Sequence, residues 1–364
     1  MNNVLLEQKI GRADCRPTLI EDTRGAVAVI VAIMMVVLLS FGALALDISN
    51  AMIARNELQN VADASALAGA RALGVIYQGL PAGTPYTTYV LSSPGAVVTA
   101  ATGVALLNKV REVGVGAFVI LPTDVAIGVW NVGPRTLTLG NVGATGVRVT
   151  AHRDGSANGA VATWLAGIMG INSMNVVATG TAALTGVAAT APGELETPFG
   201  ISAFRFTTPY CDQPVRFSPT NDPLSCAGWH TWFDTPNARR LRNNIDALIP
   251  NPPGSPATSV GDSLEFTNGS IASALSNLYS LYLAKRDPTT LIWTALVPVY
   301  QGTDCSAPNT ALPIVGYTTM QISNVAAPPN GQVVEGVVAC GMVDGGRGGG
   351  GSFGTLGSIP GLVE

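Results

Sequence analysis

Gly261-Asp262-Ser263-Leu264 places a serine beside a carboxylate, a setting in which serine can serve as a hydrolytic nucleophile. Such a serine needs a base to take its proton, most often histidine. The chain has two histidines, His152 and His230, and both precede Ser263. The late Asp-x-x-His that would supply the base is missing, and the surrounding VGDSLEFTNG predicts a turn and a strand instead. His230 stands between Trp229 and Trp232, close to Cys226 and Asp234. Trp229, His230 and Trp232 together could grip a metal, a sugar or a peptide, but an aromatic cluster packed over a disulfide explains the same residues. Asp47-Ile48-Ser49-Asn50-Ala51 begins like the metal-dependent adhesion motif D-x-S-x-S, but it lacks the second serine and abuts an apolar run. G-x-S-x-G, a P-loop, H-E-x-x-H and C-x-x-C are all absent. General acid–base chemistry would therefore rest on carboxylates, and no pair of them stands out. The expectation is a protein that is not an enzyme, with no catalytic residues, no cofactor and no metal.

Cysteine is the other reactive side chain. Cys15 stands alone near the N-terminus, whereas Cys211, Cys226, Cys305 and Cys340 lie in the second half. An even number of cysteines in one region suits disulfides, which persist in oxidising compartments. The spacings lack a C-x₂-C pair, which argues against zinc. Four cysteines allow three connectivities. Loop closure costs least between neighbours, which favours Cys211–Cys226 and Cys305–Cys340.

The elements that would hold these residues begin with residues 26–46, an uncharged apolar run interrupted mildly by Ser40 and Gly42 and ended by Asp47. About 20 such residues in a helix cross a hydrocarbon core of about 30 Å. The run is apolar on every face, unlike the stripe of a soluble helix. Ala43-Leu44-Ala45 has the small residues of a signal-peptide cleavage site. A signal core is shorter, however, at about 7–15 residues, and the helical pattern continues past the cut. The reading is an uncleaved single-pass anchor. Lys9, Arg12, Arg16 and Arg24 precede the span, and only Arg55 and Arg71 come after it within a similar length. Positive charge gathers on the cytoplasmic side, so the N-terminus is expected in the cytoplasm and the bulk outside.

Charged residues make up 12% of the 364, the net charge is −4, and there are 42 glycines. Nothing here signals nucleic-acid binding. Sparse charge with much Ala, Val, Gly and Thr suits an exported, β-rich chain. After Asp47 a helix should continue to about Leu73, with Ala54, Leu58, Val61, Ala62, Ala68 and Ala72 on one narrow face and Asn56, Asn60 and Asp63 on another. That face either packs on its own domain or meets partner helices.

Further on, a helix is expected over 97–113 and strands over 117–121 and 124–131. Residues 146–152 should form a half-buried strand with Val147, Val149 and Ala151 inward and His152 solvated. A short helix over 162–171 should turn Trp164 inward, and 174–187 returns to strand. Ile271, Leu275, Leu278 and Tyr282 mark a helix over 271–285. Strands are expected over 297–300, 315–325 and 333–339. The fold class is α+β: one transmembrane helix continuing into an amphipathic helix, then a mixed, β-rich exported region. The segments are 1–24 cytoplasmic, 25–46 transmembrane, 47–75 amphipathic helix, 76–190 α+β, 191–198 linker, 199–342 disulfide-containing with a helix, and 343–364 a flexible glycine-rich tail (GGRGGGG).

Residues 24–70 resemble the N-terminal region of TadE/TadG-like proteins of Flp (tight adherence) pilus assembly. The residues that carry this are Arg24-Gly25, the apolar span, Leu46-Asp47, and Leu58-Gln59-Asn60 with Asp63-Ala64 and Ala66-Leu67-Ala68 after it, so that Gly25, Asp47, Leu58, Gln59 and Asp63 form a family motif. The later IGVWN…VRVTAHRD…ATWLAGIMGI also resembles the stretch beyond the anchor in such proteins. The resemblance implies a membrane-anchored structural protein that assembles or anchors pili of the Tad secretion type. Its partners would be the inner membrane and other pilus-assembly or envelope proteins, with no nucleic acid. Prepilins cleaved by their peptidase carry Glu five residues after the cleavage glycine; counted from Gly25 that position is Ile30, so no such processing is expected. The missing adhesion motif argues against the von Willebrand A domain of longer relatives. The alternative is an exported glycan- or peptide-binding adhesion module that uses Trp229 and Trp232.

Overall fold

The computed structural model describes residues 23–81, 83–92, 94–111, 113–114, 116–217, 226–267, 272–328 and 331–364. Lys9, Arg12, Cys15, Arg16 and Ile271 lie outside these residues. The fold is α+β, with a long N-terminal helix and then a β-rich region. The chain forms two compact units, one of Met1–Met52 with Ala162–Met174 and the other of Ile53–Val161 with Asn175–Glu364.

Helix α1 (Thr23–Gln78) supplies chain to both units. In the first, its large apolar side chains are exposed: Val29 is 59% accessible, Leu38 71% and Phe41 68%. The helix is a candidate membrane span by length and apolarity. The other part of this unit is the 162–174 segment, a loop holding one 3-10 turn, Ala166–Met169, which ends at Gly170 in the left-handed conformation. The inward-facing helix expected here does not form. Trp164 is 73% exposed because the loop's backbone, not its side chains, is what the neighbouring helix holds.

In the second unit the rest of α1 lies on a five-stranded antiparallel sheet ordered Gly361–Leu362, Val176–Ala183, Gly146–Arg153, Val125–Asn131, Thr136–Leu139. The expected strand at 117–121 is irregular chain, and α2 (Gly95–Leu106) is shorter than 97–113. Leu58, Val61, Ala62, Ala66, Ala70, Leu73 and Tyr77 are buried in one core with Val147, Val149, Ala151, Ala178 and Ala182 of the sheet and Val97, Ala101 and Ala105 of α2. A small-residue face of α1 thus packs within its own domain, but beyond Ala62 it carries Ala66 and Ala70, and the expected Ala68 and Ala72 are only half-buried. His152 is not freely solvated: its Nδ1 lies 2.9 Å from Asp154 and its Nε2 3.6 Å from Asp124.

A second core fills a seven-stranded sheet ordered Ser263–Thr267, Ala227–His230, Phe199–Ser202, Trp293–Tyr300, Ala311–Ala326, Val333–Ala339, Pro214–Phe217. Helices α3 (Ala238–Leu248) and α4 (Ala272–Lys285) pack on it through Leu241, Ile245 and Leu248 and through Leu275, Leu278 and Tyr282. A four-stranded sheet joins Thr258–Ser259, Gly186–Thr190, Met342–Gly350 and Thr355–Ile359. It crosses the boundaries placed at 191–198 and 343. The glycine-rich stretch is a strand, not a flexible tail. Its glycines admit a close neighbour: Gly346 has φ +93°, and a Cβ there would fall 2.6 Å from the Ala189 carbonyl oxygen.

The disulfides are Cys211–Cys340 and Cys226–Cys305, not the neighbour pairs expected. Sheet topology overrides loop length. Strand Pro214–Phe217 pairs with Val333–Ala339 in the register Val337↔Pro214, and the Asp212 N–H donates to the Val338 carbonyl at 2.9 Å, so Cys211 and Cys340 meet at the strand ends. Ser202 donates through its N–H to the Cys226 carbonyl at 2.7 Å and through Oγ to the Asp304 carbonyl at 2.8 Å, which brings Cys226 beside Cys305.

Candidate functional site

Asp47 ends the apolar run, yet α1 continues through it without a break. A carboxylate at this point needs donors, because a buried charge without hydrogen bonds is costly. Asp47 is only 3% exposed, and it finds its donors in the 162–174 loop. Its Oδ1 accepts from the Trp164 N–H at 2.8 Å, and its Oδ2 accepts from the N–H groups of Leu165 at 3.1 Å and Ala166 at 2.7 Å. These backbone donors hold the carboxyl below the usual carboxylate range, those of Trp164 and Ala166 contributing most. One turn further along, Asn50 Nδ2 donates to the Ala162 carbonyl at 3.2 Å. The loop closes on itself through Thr163 N–H to Asn172 O at 3.1 Å and Ile171 N–H to Ala166 O at 3.0 Å, and through the Thr163 hydroxyl to Ile171 O. The arrangement is a clamp, in which one carboxylate fixes the start of a short turn against the helix.

The rest of the motif serves a second attachment, inside the other unit. Leu58 is fully buried in the helix–sheet core. Gln59 Nε2 donates to Asp63 Oδ1 at 2.8 Å and to the Thr179 carbonyl at 2.9 Å, tying helix to strand. The next strand residue is Gly180, where a Cβ would fall 2.7 Å from the Asp63 backbone nitrogen. Helix and strand therefore touch backbone to backbone at Asp63, which requires glycine opposite. Glu57 accepts from the Arg111 N–H at 2.7 Å, and Arg71 donates to the Ser358 carbonyl at 2.8 Å. Gly25 has open space around it. Of the five motif residues, Leu58, Gln59 and Asp63 act together, Asp47 acts with the loop, and Gly25 has open space around it among the described residues.

The other candidates do not converge on a site. Ser263 is exposed at the start of its strand, while His230 is fully buried on the neighbouring strand, opposite Phe266. Trp229 is 1% and Trp232 7% exposed. Trp229 stacks edge-on against Phe199 and Phe217, and His230 lies 4.5 Å from the Trp232 ring. Burial pushes the His230 imidazole down to about 3, and a backbone contact with Thr197 offsets little of that. A ligand would have to displace packed rings to reach this cluster. Among the described residues, no three His, Cys, Asp or Glu side chains converge so as to hold a metal ion.

Sequence reasoning missed the acceptor role of Asp47. The signal was present: a lone acid directly after an apolar run, and a distant uncharged segment, TWLAGIMGI, that contains a tryptophan.

Residues 25–72 match the Tad family model, TadE/G-like proteins of Flp pilus assembly. No curated protein and no solved structure matches the chain. The matched residues include the candidate span, Asp47 and the helix that docks on the five-stranded sheet.

Proposed function

We propose that the chain is a membrane-anchored structural protein of Flp/Tad-type pilus assembly or anchoring, acting without catalysis. The observation that carries this is the coincidence of the family match with α1. Over residues 25–72 the matched sequence supplies an exposed apolar helix long enough to span a bilayer and then a helix buried in its own domain. Every motif residue with a structural partner serves attachment. The bias of Lys and Arg before the span supports a cytoplasmic N-terminus with the bulk beyond the inner membrane. The paired cysteines of the second unit suit that oxidising side.

Orientation is tested with a C-terminal reporter that is active only outside the cytoplasm. Activity supports the topology, and silence overturns it. Loss of surface filaments on deleting the gene tests the assembly role. A Ser263→Ala variant should restore filaments as well as the parent chain. Labelling of Ser263 by a fluorophosphonate probe would contradict the non-catalytic reading.

A further inference from the structure

We propose that the 163–171 loop is a second membrane element, which seats Trp164, Ile168 and Ile171 in the lipid leaflet beside the span, with Asp47 as the clamp that sets its depth. The proposal rests on the anchor reading of α1 and adds a contact to it.

The loop exposes what water should cover least. Trp164 is 73%, Ile168 82% and Ile171 54% accessible, and residues 162–172 contain no charge. The neighbouring surface says what covers them. Leu165 and Ile168 share an apolar groove with Val36, Leu39, Ala43 and Leu44 of the span. Val36 precedes Asp47 by eleven residues, roughly 16 Å of helix at about 1.5 Å per residue. The loop side chains in that groove thus lie on the hydrocarbon side of Asp47, continuous with the surface that faces lipid. Trp164, whose N–H is held by Asp47 itself, falls at the level where the apolar run ends, which is where tryptophan favours the membrane interface.

The backbone agrees. Irregular chain survives next to hydrocarbon only if its amides are satisfied within the protein. Here Asp47 takes the N–H groups of Trp164, Leu165 and Ala166, and the carbonyls of Asn172, Leu165, Gly167 and Ala166 take those of Thr163, Ile168, Gly170 and Ile171. The buried carboxylate thereby acts as a positioning residue for a lipid contact.

The five tryptophans make the test specific. Trp130, Trp229, Trp232 and Trp293 are each at most 8% exposed, which leaves Trp164 as the accessible one. The full chain is reconstituted into phospholipid vesicles, and its fluorescence is compared with that of Trp164→Phe. The expected result is quenching by lipids brominated near the headgroup end of the acyl chain, weaker quenching by lipids brominated near the methyl end, and loss of both in Trp164→Phe. Asp47→Ala should lose most of the quenching while still floating with the vesicles. Flotation separates the two readings. Protein that floats but whose Trp164 is quenched by aqueous acrylamide and not by brominated lipid overturns the loop proposal and leaves the anchor standing. Protein that does not float overturns the anchor and the loop with it.

Discussion

Single residues decide how closely this chain can pack. Gly180 is the clearest case, since the backbone of α1 at Asp63 occupies the place where its side chain would be. Gly180→Ala should cost about 1–3 kcal/mol through overpacking, seen as a lower midpoint in denaturant, whereas Gly103→Ala, with open space around it, should stabilise or leave the midpoint unchanged. An equal effect at both positions would contradict the close approach. His230 carries a pH dependence. Burial holds its folded-state value near 3, far below its ordinary 6.5. The unfolded chain therefore takes up a proton as pH falls below about 6.5 while the folded chain does not, and stability is lost over that window, on the order of 4 kcal/mol by pH 3. Chemical denaturation of His230→Leu between pH 7 and pH 4 should show a flatter decline than the parent. Parallel curves would mean that His230 does not set the slope. Neither residue was legible beforehand as a packing device. His230 drew attention as a possible ligand because its neighbours are aromatic, and only the strand register Trp229↔Thr267, His230↔Phe266 turns that cluster inward.

At the scale of elements, period and topology divide what sequence reveals. The strand Gly146–Arg153 was legible because Val147, Val149 and Ala151 alternate with polar residues, and all three are fully buried. Helix α4 was legible for the corresponding reason, with Leu275, Leu278 and Tyr282 at helical spacing. Met342–Gly350 was not, because glycine-rich composition marks flexible linkers and tight strand packing alike. The cysteine pairing failed for want of topology: nothing local says that Pro214–Phe217 joins the edge of Val333–Ala339. Mass mapping of non-reduced peptides should find Cys211 joined to Cys340 and Cys226 to Cys305, and a Cys211–Cys226 peptide would refute the sheet order at that edge. The bridges enclose 129 and 79 residues. Removing either should therefore cost about 2–5 kcal/mol, mostly through the freed unfolded chain. Cys211→Ser, Cys340→Ser and the double variant should lose similar amounts, since each removes the same link.

For the whole molecule, the sequence signalled the candidate span and the family resemblance, because an apolar run of this length and a tight motif are local features. It did not signal the loop that returns to Asp47, because residues 47 and 164 are far apart in the chain and only three-dimensional structure joins them. With the proposed anchor, α1 has two tasks along one helix, membrane contact before Asp47 and docking within a β-rich domain after Ile53. Pilus assembly is the proposed role most open to test. The most direct measurement is an electron-microscopic count of surface filaments per cell in a strain lacking the gene, before and after restoring either the full chain or residues 1–78 alone. The expected result is loss of filaments, restored by the full chain and not by the isolated helix. Unchanged filament numbers in the deletion strain would contradict a role in pilus assembly.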